Sequence, residues 1–167
     1  MITEENIILN NLQIEQKIKR IAYQIYESNS DEHEIVLAGI KEKGIQLAVK
    51  IGKVLETISE IKVILCEVTI DKKNPIGSVA TSIPATAYEN KALVLIDDVL
   101  HSGTTLIYGV KHFLEVPLKR FKTAVLVNRN HKKYPIKADF KGISLSTSIK
   151  EHVVVKFEEN KTTAYLT

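Results

Sequence analysis

Disulfides, membrane spans and linkers are all missing from this chain, and each absence removes a class of protein. A single cysteine, Cys66, excludes an internal disulfide. It falls inside the apolar-rich run IKVILCEVTI and reads as a buried structural thiol. No stretch approaches the unbroken apolar length of a membrane span. The opening MITEENIILN has neither the basic start nor the cleavage site of a signal peptide, so the expectation is a cytoplasmic protein with no membrane partner. Four prolines and seven glycines never gather into a linker long enough to divide the chain, and no internal repeat appears. A formal charge of +3 is too small to call for a nucleic-acid partner by itself. What is present is ordinary globular material, 44% hydrophobic and 26% charged. At 167 residues it suits one domain, 1–167, with a real core.

Periodicity then sets out the elements. Leu12, Ile14, Ile18, Ile21, Ala22 and Ile25 recur at helical spacing between Asn11 and Asn29. EIVLAGI, Glu34 to Ile40, reads as a buried strand running into a loop at Lys41 to Gly44, with a helix from Ile45 to about Leu55. Ile61 to Ile70 is too continuously apolar for a half-exposed strand and suits a sheet covered on both faces. Asp71 to Asn90 carries Pro75, Gly77 and Pro84 and reads as an irregular excursion. A strand at Ala92 to Ile96, a helix from Thr104 to about Leu114 and a strand at Phe121 to Val127 follow. The pattern weakens beyond Asn128 until a last strand at Val153 to Phe157. Strand and helix alternate, which predicts an α/β fold: a doubly wound, mostly parallel sheet with helices on both faces.

One stretch carries chemistry. VLIDDVLHSGTT, Val94 to Thr105, puts two acids at the end of a strand and then a Ser-Gly-Thr-Thr turn leading into a helix. Ligands of open parallel sheets sit beyond the carboxyl ends of the strands. A turn at a helix N-terminus attracts phosphate, with Gly103 allowing close backbone approach and Ser102, Thr104 and Thr105 adding hydroxyls. Ionised carboxylates only accept hydrogen bonds, so Asp97 and Asp98 suit the diol of a sugar that bears the phosphate. The alternative is another doubly wound domain with an incidental acidic turn.

The stretch resembles the phosphoribosyl pyrophosphate motif of type I phosphoribosyltransferases: hydrophobic strand, two acids, a short spacer, then Ser or Thr, Gly, any residue and Thr. Similarity extends to the bifunctional pyrimidine-operon attenuator and uracil phosphoribosyltransferase family. VLAGIKEKGIQLA (Val36 to Ala48) is similar to that family's first strand and pyrophosphate loop, and AVLVNRNHKKYPIKADFKG (Ala124 to Gly142) to its strand and base-covering hood.

The resemblance implies transfer of a phosphoribosyl group from phosphoribosyl pyrophosphate to a nucleobase such as uracil, a small C-terminal hood, and a homodimer. Asp97 and Asp98 would hold the ribose hydroxyls and, indirectly through ligand or water, Mg2+; Val99 belongs to the same motif. Leu100, His101, Ser102, Gly103, Thr104 and Thr105 would bind the 5′-phosphate, and Lys41, Glu42, Lys43 and Gly44 would face the pyrophosphate. Val127, Asn128 and Arg129 take the position that meets the base. His101 either shuttles a proton near neutral pH or is an exposed turn residue.

Three positions depart from the family pattern. Glu42-Lys43-Gly44 stands where Thr-Arg-Gly is usual, TIDKKNPIGSVATS replaces the long flexible loop with Lys72 and Lys73 as its only cations, and Asn128 stands for Asp. The family also binds RNA through a basic face. Lys19, Arg20, Arg129, Lys132 and Lys133, with Lys137 and Tyr134 nearby, would form it here; the alternative is a solvated charged surface. A nucleotide-sensing RNA-binding regulator, with a nucleotide as effector, therefore stands beside the enzyme.

Overall fold

The computed structural model describes residues 6–129, 131–146 and 150–167. Helix α1 (Asn11–Ser28) opens on a capping box, in which Asn10 accepts from the Gln13 N–H and Gln13 accepts from the Asn10 N–H, each at 2.9 Å. Ile14, Ile18, Ile21, Ala22 and Ile25 turn inward as their spacing predicts. Leu12 does not: it is 63% exposed, one position off the buried stripe. Strand β2 (Glu34–Ile40) leads into α2 (Lys43–Ile58), which starts before Ile45 and outlasts Leu55. Then come β3 (Lys62–Thr69), the two-residue β4 (Ala80–Thr81), β5 (Ala92–Leu100), α3 (Thr104–Phe113), β6 (Arg120–Arg129) and β7 (Phe140–Leu145).

These strands form one sheet in the order β4-β3-β2-β5-β6-β7, parallel except for β4. Every residue of β5 is buried. Its side chains alternate: Val94 and Ile96 join the core under α1 and α2, Leu93 and Leu95 the core under α3. Helices on both faces follow from that alternation. After β2 the chain moves outward to β3, and after β5 it moves the other way to β6. The strand order therefore reverses between β2 and β5, and a crevice opens at their carboxyl ends.

A second sheet, antiparallel and ordered β1-β9-β8, joins β1 (Ile7–Leu9) to β8 (Val153–Glu158) and β9 (Lys161–Leu166). This is the hood, and it draws on both ends of the chain rather than on Ala124 to Gly142. That segment instead completes β6, crosses irregularly and enters the main sheet as β7; its Asn130 lies outside the described residues. No helix among the described residues is long and apolar enough to cross a membrane.

Candidate active site

A cavity of about 670 Å³ occupies the crevice. Its walls are Lys41 and Glu42 from the β2–α2 connection with Lys43 at the start of α2, Thr69 at the end of β3 with Ile70 and Lys72 beyond it, the run Asp97 to Leu106, and Val153 of the hood. Thr69, Ile70 and Val153 escaped sequence reasoning because they are ordinary strand and loop residues that only the fold brings here.

Asp97 and Asp98 lie within β5 rather than after it, since pairing with β6 continues to Leu100. Both are buried, at 5% and 8% exposure. The Asp98 N–H donates to Asp97 Oδ1 at 2.9 Å. Burial first, and the Asp98 carboxylate second, push Asp97 well above the usual carboxylate range, with the Lys72 charge pulling the other way. Among the described residues neither acid has an ion-pair partner within 4.0 Å.

The turn after them is built for close approach. Gly103 has φ +85° and precedes the first residue of α3, a conformation few L side chains adopt. The Ser102 and Thr104 hydroxyl oxygens lie 2.8 Å apart, and the Thr104 N–H donates to Ser102 Oγ at 3.3 Å. The turn is braced from behind, where the Lys133 and Tyr134 N–H groups donate to the Ser102 carbonyl at 2.8 and 3.1 Å. A Cβ on Gly103 would run into the Ile136 side chain. Residues 131–136, read from the sequence as hood, thus support the turn at Ser102 and Gly103.

On the facing wall, Gly44 is buried and stands behind the lining rather than in it. A Cβ there would come within 2.6 Å of the Ile96 carbonyl oxygen. The absence of a side chain lets α2 press onto β5 beside the acids and holds Lys41 to Lys43 at the cavity. The Lys41–Glu42 peptide bond is cis, and the Lys41 N–H donates to the Val68 carbonyl at 2.8 Å. Lys72 reaches the wall and Lys73 does not.

Val127, Asn128 and Arg129 end β6 as buried residues and are not part of the cavity wall. Asn128 Nδ2 donates to Ser144 Oγ at 3.2 Å. Arg129 reaches the cavity through a neighbour, its Nη1 lying 3.0 Å from His101 Nδ1. At 4% exposure it also leaves the surface group expected to meet RNA, because its guanidinium is turned inward. His101 is half-buried; burial and the Arg129 charge hold its pKa below the usual histidine value, against the pull of Asp98. Lys19, Lys132 and Lys133 are exposed. Arg20 is exposed too, but its guanidinium donates to the carbonyls of Lys141, at 2.8 Å, and Gly142. Tyr134 packs edge-on against Tyr108, with Lys133 Nζ 5.9 Å from its ring centre.

A buried acid pair and a glycine turn at a helix N-terminus, set at the switch point of a doubly wound sheet under a small hood, are the marks of a type I phosphoribosyltransferase. The chain belongs to the phosphoribosyl transferase domain family, whose model matches residues 5–160. It is 34% identical over 172 residues to the Bifunctional protein PyrR of Macrococcus caseolyticus, covering 98% of this chain and 99% of that one. To the Bifunctional protein PyrR of Streptococcus gordonii it is 32% identical, over 91% of this chain and 90% of that one. The fold is shared with the hypoxanthine phosphoribosyltransferase of Trypanosoma cruzi complexed with IMP, at TM-score 0.80 and 15% identity over 99% and 93% of the two chains. It is likewise shared with a hypoxanthine-guanine phosphoribosyltransferase of Bacillus anthracis, at TM-score 0.70 and 18% identity over 84% and 81%.

Proposed function

We propose that this phosphoribosyltransferase acts on a pyrimidine base, uracil first, with phosphoribosyl pyrophosphate as donor and Mg2+ as cofactor, as a cytoplasmic homodimer of single-domain chains. The observation that carries the reading is that the acid pair and the left-handed turn at Gly103 line one cavity. Similarity to relatives named PyrR favours the pyrimidine.

In this reading the turn from Leu100 to Thr105 takes the 5′-phosphate on backbone N–H groups and hydroxyls. Asp97 and Asp98 accept from the ribose 2′ and 3′ hydroxyls, while Lys41 to Lys43 and Lys72 face the diphosphate. The base nitrogen attacks C1′ as the C1′–O bond breaks and its electron pair leaves with pyrophosphate. Positive charge grows on the ribose during that exchange, and two fixed carboxylates beside it stabilise the charge without reorganising. The acids also fit Mg2+: they are hard oxygen donors, adjacent and without a cationic partner, which suits an ion that keeps most of its water and takes one or two carboxylates. When bound, the ion would supply charge neutralisation for the departing diphosphate.

A second reading, the nucleotide-sensing RNA regulator, is favoured by the exposure of Lys19, Lys132 and Lys133. One assay separates the two. With phosphoribosyl pyrophosphate, Mg2+ and a panel of bases, uracil should release pyrophosphate, and Asp98→Asn should lower turnover about 100-fold with an unchanged circular dichroism spectrum. Unchanged turnover removes Asp98 from the mechanism. Failure of every base, with UMP and RNA still bound, selects the regulator.

A further inference from the structure

The contact between His101 and Arg129 has only one hydrogen-bond polarity. Arg129 Nη1 lies 3.0 Å from His101 Nδ1. A guanidinium has N–H donors and no acceptor, and it stays charged throughout the range of native conditions. Nδ1 is therefore the acceptor, so the ring proton sits on Nε2. A second ring proton would set N–H against N–H and cation against cation. Burial and Arg129 both disfavour that state, with His152 and Lys72 adding to the downward pull and Asp98 opposing it.

Position gives the remaining donor its direction. Leu100 pairs with Asn128 across β5 and β6, so His101, just past the end of β5, comes next to Arg129, the last residue of β6. Arg129 holds Nδ1 toward β6, which turns Nε2, on the other side of the imidazole, away from it. His101 lines the cavity from within the turn that follows the acid pair, and Nε2 has no hydrogen-bond partner among the described residues.

We propose that His101 selects the base by donating a hydrogen bond from Nε2 to one of its carbonyl oxygens, with Arg129 as the positioning residue that fixes this polarity. The substrate class is an oxo-pyrimidine; an amino group at the same place would set donor against donor. The inference deepens the phosphoribosyltransferase reading and rests on it. It also changes the proton's route. Neither ring nitrogen of His101 accepts a proton, since the Nδ1 lone pair is engaged and Nε2 is already protonated. The base proton therefore passes to water as the N–C1′ bond forms and pyrophosphate leaves with its electron pair. The Nε2–H meanwhile stabilises negative charge that the ionising base places on its carbonyl oxygen.

Two measurements on the whole protein test this. Long-range 1H–15N NMR of the unliganded protein at pH 7 should show His101 neutral, protonated at Nε2 and bare at Nδ1. Calorimetry should then compare UMP with its 2-thio and 4-thio analogues, sulfur being the poorer acceptor. The wild type should favour UMP over one of the two by about fivefold to tenfold, the value of one neutral hydrogen bond. His101→Phe should bind all three alike, and His101→Gln, which keeps an N–H donor, should recover part of the preference. An Nδ1–H or cationic ring overturns the proposal, as does a preference that His101→Phe retains. A wild type that binds none of the three nucleotides overturns the parent reading as well, whatever the NMR shows.

Discussion

Asp97 is the residue at which the proposed function costs stability. In the unfolded chain it ionises in the ordinary aspartate range, whereas in the fold burial and Asp98 raise its pKa. Between those two values the folded protein binds more protons, so stability falls as pH rises through that window. An asparagine carries no such proton and keeps an oxygen for the Asp98 N–H. Asp97→Asn should therefore gain on the wild type as pH rises, by on the order of 1 kcal/mol or about 2–4 °C in Tm at neutral pH. Phosphoribosyl transfer should fail in the same variant. Thermal melts across the acid range check this, and a Tm difference that shrinks with rising pH contradicts it. The acids and the Ser-Gly-Thr-Thr turn were legible in the sequence because they are contiguous, and local order alone carries their meaning. The His101–Arg129 contact was not, since 28 positions separate the two residues and only the β5–β6 pairing joins them.

At the scale of elements, the site depends on how closely α2 approaches β5. Gly44 makes that approach possible, with room for a hydrogen and none for a methyl group. Gly44→Ala must push α2 off the Ile96 carbonyl, which should cost about 1–3 kcal/mol. Because the same shift withdraws Lys41 to Lys43, affinity for pyrophosphate should fall with it. Denaturant unfolding together with pyrophosphate titration reads both effects, and an unchanged midpoint contradicts the packing argument. Elements with strong periodicity were readable: α1 and β2 lie where apolar spacing puts them, and β5 starts there but continues past Ile96 to Leu100. β3 is in place but is not covered on both faces, since only two-residue β4 flanks it and Leu65 is 41% exposed. The misses are physical too. Three-residue β1 is too short to show a period, β7 has a broken one because Gly142 fills a buried position where no side chain fits, and β9 offers Thr and Tyr in place of an apolar run. Reading the hood into Ala124 to Gly142 failed for that reason: β7 was invisible, so its segment had no place in the main sheet.

Across the whole molecule, two sheets divide the work. The parallel sheet supplies a buried frame whose strand order reverses beside the cavity, and the antiparallel hood brings Val153 over the same opening. Residues 131–136 brace the turn at Ser102, while exposed Lys19, Lys132 and Lys133 lie outside the cavity. In the proposed function the ribose sits at the acids, with its 5′-phosphate in the turn at one end and the base at C1′ at the other. Calorimetric titration of phosphoribosyl pyrophosphate with Mg2+ tests this arrangement most directly. Binding of one donor molecule per chain, lost in the Asp97→Asn/Asp98→Asn double variant, is the predicted result; no binding by the wild type, or undiminished binding by the double variant, would contradict it.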